Sequence, residues 1–235
     1  MVHANPYFLV ERITVFPSGL LTNSEYQFLD RQARGMSLLE LDLKKISGNL
    51  ERNPKIARAE VVRILPNQIN VFLTRRTPII QIQLKPKGPY YLVARDQMVL
   101  LVEETPVPEL EVLEDYSSAK KSYSLGSLYQ NKYFQSLSSI LDSIKEDPIL
   151  SSETVAKLTM DELGNITLML NDGIELKTAG TLRISPNAKA VLGSLLKSDQ
   201  RNQILYIDMR YRDLIVKRKS QIQDVPAPQK LKTTN

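Results

Sequence analysis

The chain opens with two different periods of hydrophobic and polar residues. Residues 8–16 alternate between the two classes, which is the period of a β-strand with one buried face. Thr22 and Glu25 then stand three residues apart, the spacing of a capping box in which hydroxyl and carboxylate satisfy each other's backbone donors. The pattern predicts a strand followed by a helix over about 22–33.

A second helix and two further strands complete the first part of the chain. Asp42 is placed to cap a helix that ends at Asn53-Pro54, because the residue before a proline disfavours the helical conformation. Residues 57–65 and 69–76 alternate as two strands. We therefore predict a small β-α-α-β-β domain over residues 5–78.

The chain from residue 79 to residue 218 predicts a larger domain of short strands with two helices. Apolar residues from Phe134 to Ile144 recur at helical spacing, and Ser185-Pro186 is a typical helix start. Residues 103–126, rich in Glu, Pro and Ser, predict an excursion outside the sheet. The predicted strands are 79–84, 90–94, 98–102, 154–160, 165–170 and 174–177. The fold class is α+β, with a mixed or antiparallel sheet in the second domain.

The stretch Tyr206–Lys219 combines strand-like apolar positions with an unusual number of charges. Two explanations stay open: an edge strand whose charges keep neighbouring chains away, or an edge strand that receives a particular partner. Beyond it, residues 219–235 contain too few apolar residues to fold and predict a flexible tail.

Composition narrows the classes of function. Lys and Arg outnumber Asp and Glu by 31 to 26, but no long basic run or aromatic-rich segment indicates a nucleic-acid groove, so no nucleic-acid partner is predicted. The absence of cysteine excludes disulfides, thiolate metal sites and thiol nucleophiles. No apolar stretch is long enough to cross a bilayer, and we expect the chain to be the soluble part of something longer.

Candidate catalytic and metal-binding groups are few. His3 is the single histidine and stands in a terminus that we expect to be mobile, which disfavours Ser-His and His-based metal sites. Adjacent residues on a strand point to opposite faces, so neighbouring carboxylates do not form a glycosidase-type pair by themselves. Such pairs are Glu103-Glu104, Glu114-Asp115 and Asp161-Glu162. No glycine-rich phosphate loop occurs, and we predict no catalytic residue, no cofactor and no metal ion.

The segment Ser37–Ile79 resembles a POTRA domain, whose sequence pattern runs from a hydrophobic entry through a helix to a sheet. The matching residues are Leu39, Leu41, Asp42, Leu50, Asn53, Pro54, Ala59, Val61, Arg63, Pro66, Arg76 and Pro78. Thr74-Arg75 departs from the pattern, which usually has a glutamate there. POTRA domains occur in outer-membrane insertases, in secretion transporters and in the FtsQ/DivIB family of division proteins.

Three motifs in the second domain resemble the FtsQ/DivIB family. Tyr91–Gln97 is similar to a strand-and-turn motif of that family, although Ala94 and Gln97 replace the usual aspartate and glycine. Asn171–Lys177 resembles its hairpin, and Tyr206–Tyr211 (YIDMRY) resembles the signature near its C-terminus. Together with the POTRA pattern, the resemblance covers most of the chain.

The resemblance implies a non-catalytic scaffold of the bacterial division machinery. Members of the family have a short cytoplasmic tail and one transmembrane helix, followed by a POTRA domain and a β domain outside the cytoplasm. It implies partners of the FtsB and FtsL type, further division proteins at the POTRA domain, and an influence on septal peptidoglycan synthesis. The implied location is the inner membrane at the division septum, with this part in the periplasm.

The resemblance also implies a partner-binding strand directly after the YIDMRY signature. In this family the last strand offers its unpaired edge to FtsB by β-augmentation. The corresponding residues here are Arg210, Tyr211, Asp213, Leu214, Ile215, Val216 and Lys217. A structural role stays open, because Asp208 and Arg210 can pair with each other. The family often has a glycine after the signature, and its absence here leaves the local turn and the register open.

Two alternative functions remain. A POTRA-containing component of an outer-membrane protein transport or assembly system would act on unfolded substrates, and the polar tail after Ser220 disfavours it. A carboxylate-dependent hydrolase would need an Asp–Glu pair about 5–9 Å apart in a cleft.

Overall fold

The computed structural model of the protein describes residues 6–84, 86–118, 122–180 and 185–219. Its first part has the predicted β-α-α-β-β order. The elements are β1 (Arg12–Phe16), α1 (Asn23–Ala33), α2 (Leu43–Glu51), β2 (Ile56–Ile64) and β3 (Gln68–Arg75). A short 3₁₀ helix, Pro6–Phe8, precedes β1, so the first strand begins at Arg12 rather than at residue 8.

Helices α1 and α2 begin at the caps that the sequence predicts. The Thr22 hydroxyl accepts a hydrogen bond from the Glu25 backbone N–H, and the Glu25 carboxylate accepts one from the Thr22 backbone N–H at 2.7 Å. The Asp42 carboxylate accepts a hydrogen bond from the Lys45 backbone N–H at 3.0 Å. These bonds satisfy amides that have no partner inside the helix.

Three strands of the first part form a small mixed sheet in the order β1-β3-β2. Strand β1 runs parallel to β3, and β2 runs antiparallel to it. One face of the sheet packs against the two helices, and the fully buried side chains of this core include Leu29, Leu38, Ile56, Ile69 and Val71.

The second part is a nine-stranded sheet with two helices. Its strands are β4 (Pro78–Gln83), β5 (Tyr90–Ala94), β6 (Val99–Glu103), β7 (Val112–Asp115), β8 (Val155–Met160), β9 (Ile166–Leu170), β10 (Glu175–Thr178), β11 (Ile204–Asp208) and β12 (Ile215–Arg218). The helices are α3 (Phe134–Glu146) and α4 (Pro186–Lys197). The strand order is β12-β11-β10-β9-β8-β7-β4-β5-β6, with parallel pairs β4–β7, β7–β8 and β10–β11. The α+β fold class with a mixed sheet is confirmed.

One hydrophobic row crosses this sheet from edge to edge. The pairing register aligns one residue from every strand: Val102, Tyr91, Ile82, Leu113, Leu158, Leu168, Leu176, Ile207 and Val216. Buried residues of α3 and α4 belong to the same core cluster as most of this row. The last strand, β12, is therefore held by the core that also holds the centre of the sheet.

The prediction that residues 103–126 lie outside the sheet is wrong in part, because they contribute strand β7 to its middle. Asp115, at the end of β7, is 2% exposed and accepts hydrogen bonds from the Tyr129 hydroxyl at 2.5 Å and the Asn131 amide at 3.1 Å. Burial, and then the nearby Asp115 carboxylate, raise the pKa of Tyr129, so its hydroxyl stays protonated and donates. The strand has only two apolar residues, Val112 and Leu113, and this hid it among the prolines and glutamates.

The two parts have separate cores, one between Val10 and Leu73 and the other between Ile80 and Met209. The domain limits 5–78 and 79–218 remain predictions. Of the predicted flexible tail over 219–235, only Lys219 belongs to the described residues. His3 also lies outside them.

Candidate functional site

The YIDMRY signature forms strand β11 and the start of the turn that follows it. Ile207 is fully buried in the hydrophobic row. Tyr206 is only half-buried and lies on the opposite face of the sheet. Lys177 Nζ lies 4.1 Å and Lys217 Nζ lies 6.0 Å from the centroid of the Tyr206 ring. Tyr206 is therefore the aromatic member of a cationic patch on the outer face of the sheet, in which Lys177 Nζ also lies 3.5 Å from Glu175 Oε2.

Asp208 and Arg210 form the ion pair that the sequence left open as a structural alternative. Arg210 Nη2 lies 2.6 Å from Asp208 Oδ2, and Arg210 Nε donates to Asp208 Oδ1 at 2.9 Å. The backbone N–H of Arg210 donates to the same carboxylate at 3.1 Å. These hydrogen bonds hold the pKa of Asp208 below its usual range although burial opposes the shift. Arg210 thus closes the bend at the end of β11.

The turn between β11 and β12 needs no glycine. Residues 209–214 all have negative φ, so the left-handed conformation that favours glycine does not occur there. The side chains of Tyr211, Arg212 and Asp213 point into solvent, and Tyr211 is 60% exposed. The Arg210 guanidinium carbon lies 5.9 Å from the centroid of the Tyr211 ring, at the outer limit of a cation–π contact. Tyr211 is therefore a large amphipathic side chain presented at the side of the sheet.

Strand β12 is the last strand of the sheet and pairs antiparallel with β11, with Ile207 opposite Val216 and Asp208 opposite Ile215. Leu214 and Val216 are partly buried against the core. Ile215 is 49% exposed, and Lys217 is exposed on the same outer face. Among the described residues Lys217 forms no ion pair. The face of the strand toward the core is therefore apolar, with Leu214 and Val216. The outer face carries one apolar and one cationic side chain, Ile215 and Lys217.

One side of the β12 backbone remains unpaired in the described chain. The Lys219 backbone N–H donates to the Gln203 carbonyl at 2.7 Å, on the side of β11. Along an antiparallel strand, the backbone N–H and C=O groups of successive residues point alternately toward the neighbouring strand and away from it. The backbone groups of Lys217 and Ile215 therefore also point toward β11, while those of Val216 and Arg218 point outward. No hydrogen bond from the described residues reaches these outward groups.

The other sheet edges are partly closed by the molecule itself. At β2, the Ser47 hydroxyl donates to the Ala59 carbonyl, and the Glu51 carboxylate accepts from the Ala59 N–H at 3.0 Å. At β1, the Tyr26 hydroxyl donates to the Ile13 carbonyl at 3.2 Å.

The fourth edge, β6, is covered where it begins. The Val99 N–H donates to the Ser127 carbonyl at 2.9 Å, and the Gly126 N–H donates to the Val99 carbonyl at 2.8 Å. Only at β12 do the described residues leave the edge without such contacts. Natural sheets blunt their edges with covering groups or with charged side chains, and β12 has the charges of Lys217 and Arg218 but no covering group among the described residues.

The seven predicted site residues fall into two groups. Arg210, Tyr211 and Asp213 lie in the turn, whereas Ile215, Val216 and Lys217 lie in the strand with Leu214 just before it. Sequence reasoning missed Lys177 and Tyr206, which complete the cationic patch beside Lys217. Their proximity depends on the parallel register of β10 with β11, for which the sequence carries no local signal.

The described residues contain no group of three or more His, Cys, Asp or Glu side chains that could hold a metal ion. A cleft of about 670 Å³ beneath residues 106–111 is lined by Glu109, Glu111 and Glu153. Arg201 Nη2 lies 2.6 Å from Glu153 Oε2, so Glu153 is one member of a structural ion pair.

Known proteins are similar to this chain over most of its length. Residues 26–76 match the family described as "POTRA domain, FtsQ-type". The cell division protein FtsQ of Syntrophotalea carbinolica is 27% identical over 203 residues, which cover 82% of this chain and 71% of that protein. The cell division protein DivIB of Bacillus subtilis is 28% identical over 133 residues, covering 57% of this chain and 46% of that protein.

Together these similarities support an FtsQ/DivIB-family protein. The two relatives indicate a cell division protein, and residues 26–76 match the POTRA domain that the sequence pattern indicated. It spans less than half of the Bacillus subtilis relative. In the part of the chain that the structure describes, none of the helices is both long and apolar enough to cross a membrane.

Proposed function

We propose that this protein is a non-catalytic scaffold of the division machinery that binds partners of the FtsB and FtsL type through the edge of β12. Through these partners it helps regulate septal peptidoglycan synthesis. The full-length protein is held in the inner membrane by one N-terminal transmembrane helix, with this part in the periplasm at the septum, and its POTRA domain contacts further division proteins. Membership of the FtsQ/DivIB family and the division proteins similar to this chain support the proposal.

The observation that carries the proposal is the open edge of β12. An extended partner segment adds to such an edge by main-chain hydrogen bonds, and the alternating side chains of both strands then decide specificity. Here Val216 directs its backbone groups outward while its side chain packs on the core, so the strand is ordered before a partner arrives. Pre-ordering lowers the entropic cost of adding a strand.

The side chains around the edge define the chemistry of the partner segment. On the outer face, Lys217, which forms no ion pair among the described residues, favours an acidic residue, while Ile215 favours an apolar one. On the opposite face, Leu214 and Val216 favour apolar residues that extend the hydrophobic row by one position. The partner is therefore an extended segment that is apolar on one face and carries acidic residues on the other.

The proposal is tested at Tyr211, the most exposed aromatic residue of the site. Tyr211→Ala in the full chain removes an anchor of the type that dominates interfaces, and we expect a loss of about 1–2 kcal/mol, or roughly five- to thirtyfold in Kd. The measurement is calorimetric titration with the C-terminal segment of the FtsB-type protein from the same genome. Tyr116→Ala, which removes a tyrosine that is 51% exposed at the end of β7, is the matched control.

Unchanged affinity of the Tyr211→Ala variant would remove this residue from the interface. Equal losses in the Tyr211 and Tyr116 variants would instead show a general effect of truncating a surface tyrosine. Absence of binding by the unmodified chain would contradict the proposed partner class itself.

A further inference from the structure

Arg76 connects the POTRA domain to the β domain through its side chain as well as its backbone. It stands in the two-residue link between β3 and β4, yet its side chain is only 8% exposed. Its Nη1 donates to the carbonyls of Pro54 at 2.7 Å and Asn53 at 3.3 Å, in the loop between α2 and β2. Its Nε donates to Asp96 Oδ2 at 2.9 Å, in the turn between β5 and β6. One guanidinium thus bonds to both domains.

A second contact joins the domains at the same loop. The backbone of Gly126, in the β domain, approaches Pro54 so closely that a Cβ atom on this glycine would lie 2.9 Å from Pro54 Cγ. Gly126 has a φ of +77°, which also favours glycine. The Asn53-Pro54 loop is therefore held by Arg76 on one side and by the loop at Gly126 on the other.

The groups that Arg76 bonds to are themselves fixed. The Asn53 side-chain amide donates to Glu25 Oε1 at 2.6 Å, and Glu25 also forms the capping box of α1. On the other side, Asp96 precedes Gln97, which has a φ of +66° in a tight turn where the resembling motif has glycine. Both ends of the contact are thus anchored in the core elements of their own domains.

We propose that Arg76 acts as a clamp that fixes the orientation of the POTRA domain relative to the β domain. Domains joined by a short link and a modest interface move relative to each other by default, so a specific lock is needed to prevent it. A planar guanidinium bonds in several directions at once, which a lysine ammonium on a flexible stem does less well. With the clamp closed, partners on the POTRA domain and at β12 meet the protein at one fixed spacing.

The absence of cysteine in the chain gives this proposal a direct test. Glu60→Cys on β2 and Lys197→Cys at the end of α4, both exposed, place one spin label on each domain. Pulsed electron paramagnetic resonance of the full chain then measures the distribution of distances between the labels. We expect one narrow distribution, which Arg76→Ala broadens roughly twofold or more because the default interdomain motion returns. Asp96→Ala, which removes the acceptor of the Arg76 Nε–H but keeps the bonds to the POTRA carbonyls, broadens it less.

Arg75→Ala is the matched control, since Arg75 is exposed and precedes the clamp by one residue. We expect it to leave the distribution narrow. A broad distribution in the unmodified chain, or a narrow one after Arg76→Ala, would overturn the proposal, and so would equal broadening by Arg75→Ala. If Arg76→Ala does not fold, the Asp96→Ala variant decides alone: a distribution identical to that of the unmodified chain overturns the clamp. None of these outcomes depends on partner binding at β12, so the clamp and the proposed function fail separately.

Discussion

At the scale of single residues, Arg210 has two roles that a binding experiment alone would confuse. It belongs to the predicted partner site, but its guanidinium also neutralises the carboxylate of Asp208, which is 5% exposed. A buried carboxylate that loses its partner destabilises the fold, whatever the partner protein does. The stability of variants at this position must therefore be measured beside their affinity.

Arg210→Ala is expected to lower the free energy of unfolding by about 1–2 kcal/mol at neutral pH, because Asp208 is left with fewer donors. The pKa of Asp208 is depressed in the folded protein, so the stabilisation exists above its ordinary pKa and is lost as the pH falls through the folded value. The difference in unfolding free energy between Arg210→Ala and the unmodified protein should therefore shrink below about pH 4. Urea unfolding of both proteins from neutral pH to below about pH 4 measures this difference.

Arg212→Ala serves as the control, since Arg212 is exposed in the same turn. It should change stability little at any pH. A difference between the Arg210 variant and the unmodified protein that persists undiminished in acid would show that Asp208 is not the group concerned.

Local sequence signals predicted the residue contacts that lie within a few positions of each other. Thr22 with Glu25, and Asp208 with Arg210, are such pairs, because both members belong to one turn. The stacking of Lys177 on Tyr206 could not be predicted, since the two residues are 29 positions apart along the chain and meet only through the register of β10 with β11. The chemistry of the outer face therefore became visible only in three dimensions.

At the scale of secondary-structure elements, β7 shows where pattern reasoning fails. Alternation found the other strands, since each has several apolar residues on one face. Strand β7 has four residues, of which two are acidic, and it is held by neighbours on both sides rather than by its own pattern. Its buried Asp115 is satisfied by a loop that follows it, so the strand and the loop form one unit.

Tyr129→Phe tests this unit. Removing one hydroxyl takes a short hydrogen bond from the buried Asp115, and we expect a loss of about 1–2 kcal/mol in unfolding free energy. Tyr116→Phe removes a hydroxyl that donates to Glu114 at the surface and should cost much less. Chemical denaturation of both variants makes the comparison, and equal effects would contradict the special role of the buried network.

At the scale of the whole molecule, the two domains differ in how their sheet edges are treated. The POTRA sheet has helix side chains bonded to both of its edge strands, and the far edge of the large sheet is partly covered by a loop. Strand β12 is the exception in the described chain, although the hydrophobic row fixes its register firmly. An edge that is ordered and yet unpaired is suited to receive a strand.

Sequence patterns indicated the domain order, because each domain has its own hydrophobic core and its own motifs. They did not indicate which edges are closed, since the closing groups of the POTRA domain, such as Tyr26 and Glu51, come from helices that pack on the sheet. Nor did they indicate that Arg76 bonds to both domains, because its partners lie 20 or more residues away.

Hydrogen–deuterium exchange of the full chain, with and without the C-terminal segment of the FtsB-type protein, tests the central claim most directly. We predict that the segment slows exchange at the outward amides of β12, above all Val216 and Arg218, and leaves β2 and β6 unchanged. Slowed exchange confined to β2 or β6, or unchanged exchange at β12 under saturating partner, would contradict strand addition at the β12 edge.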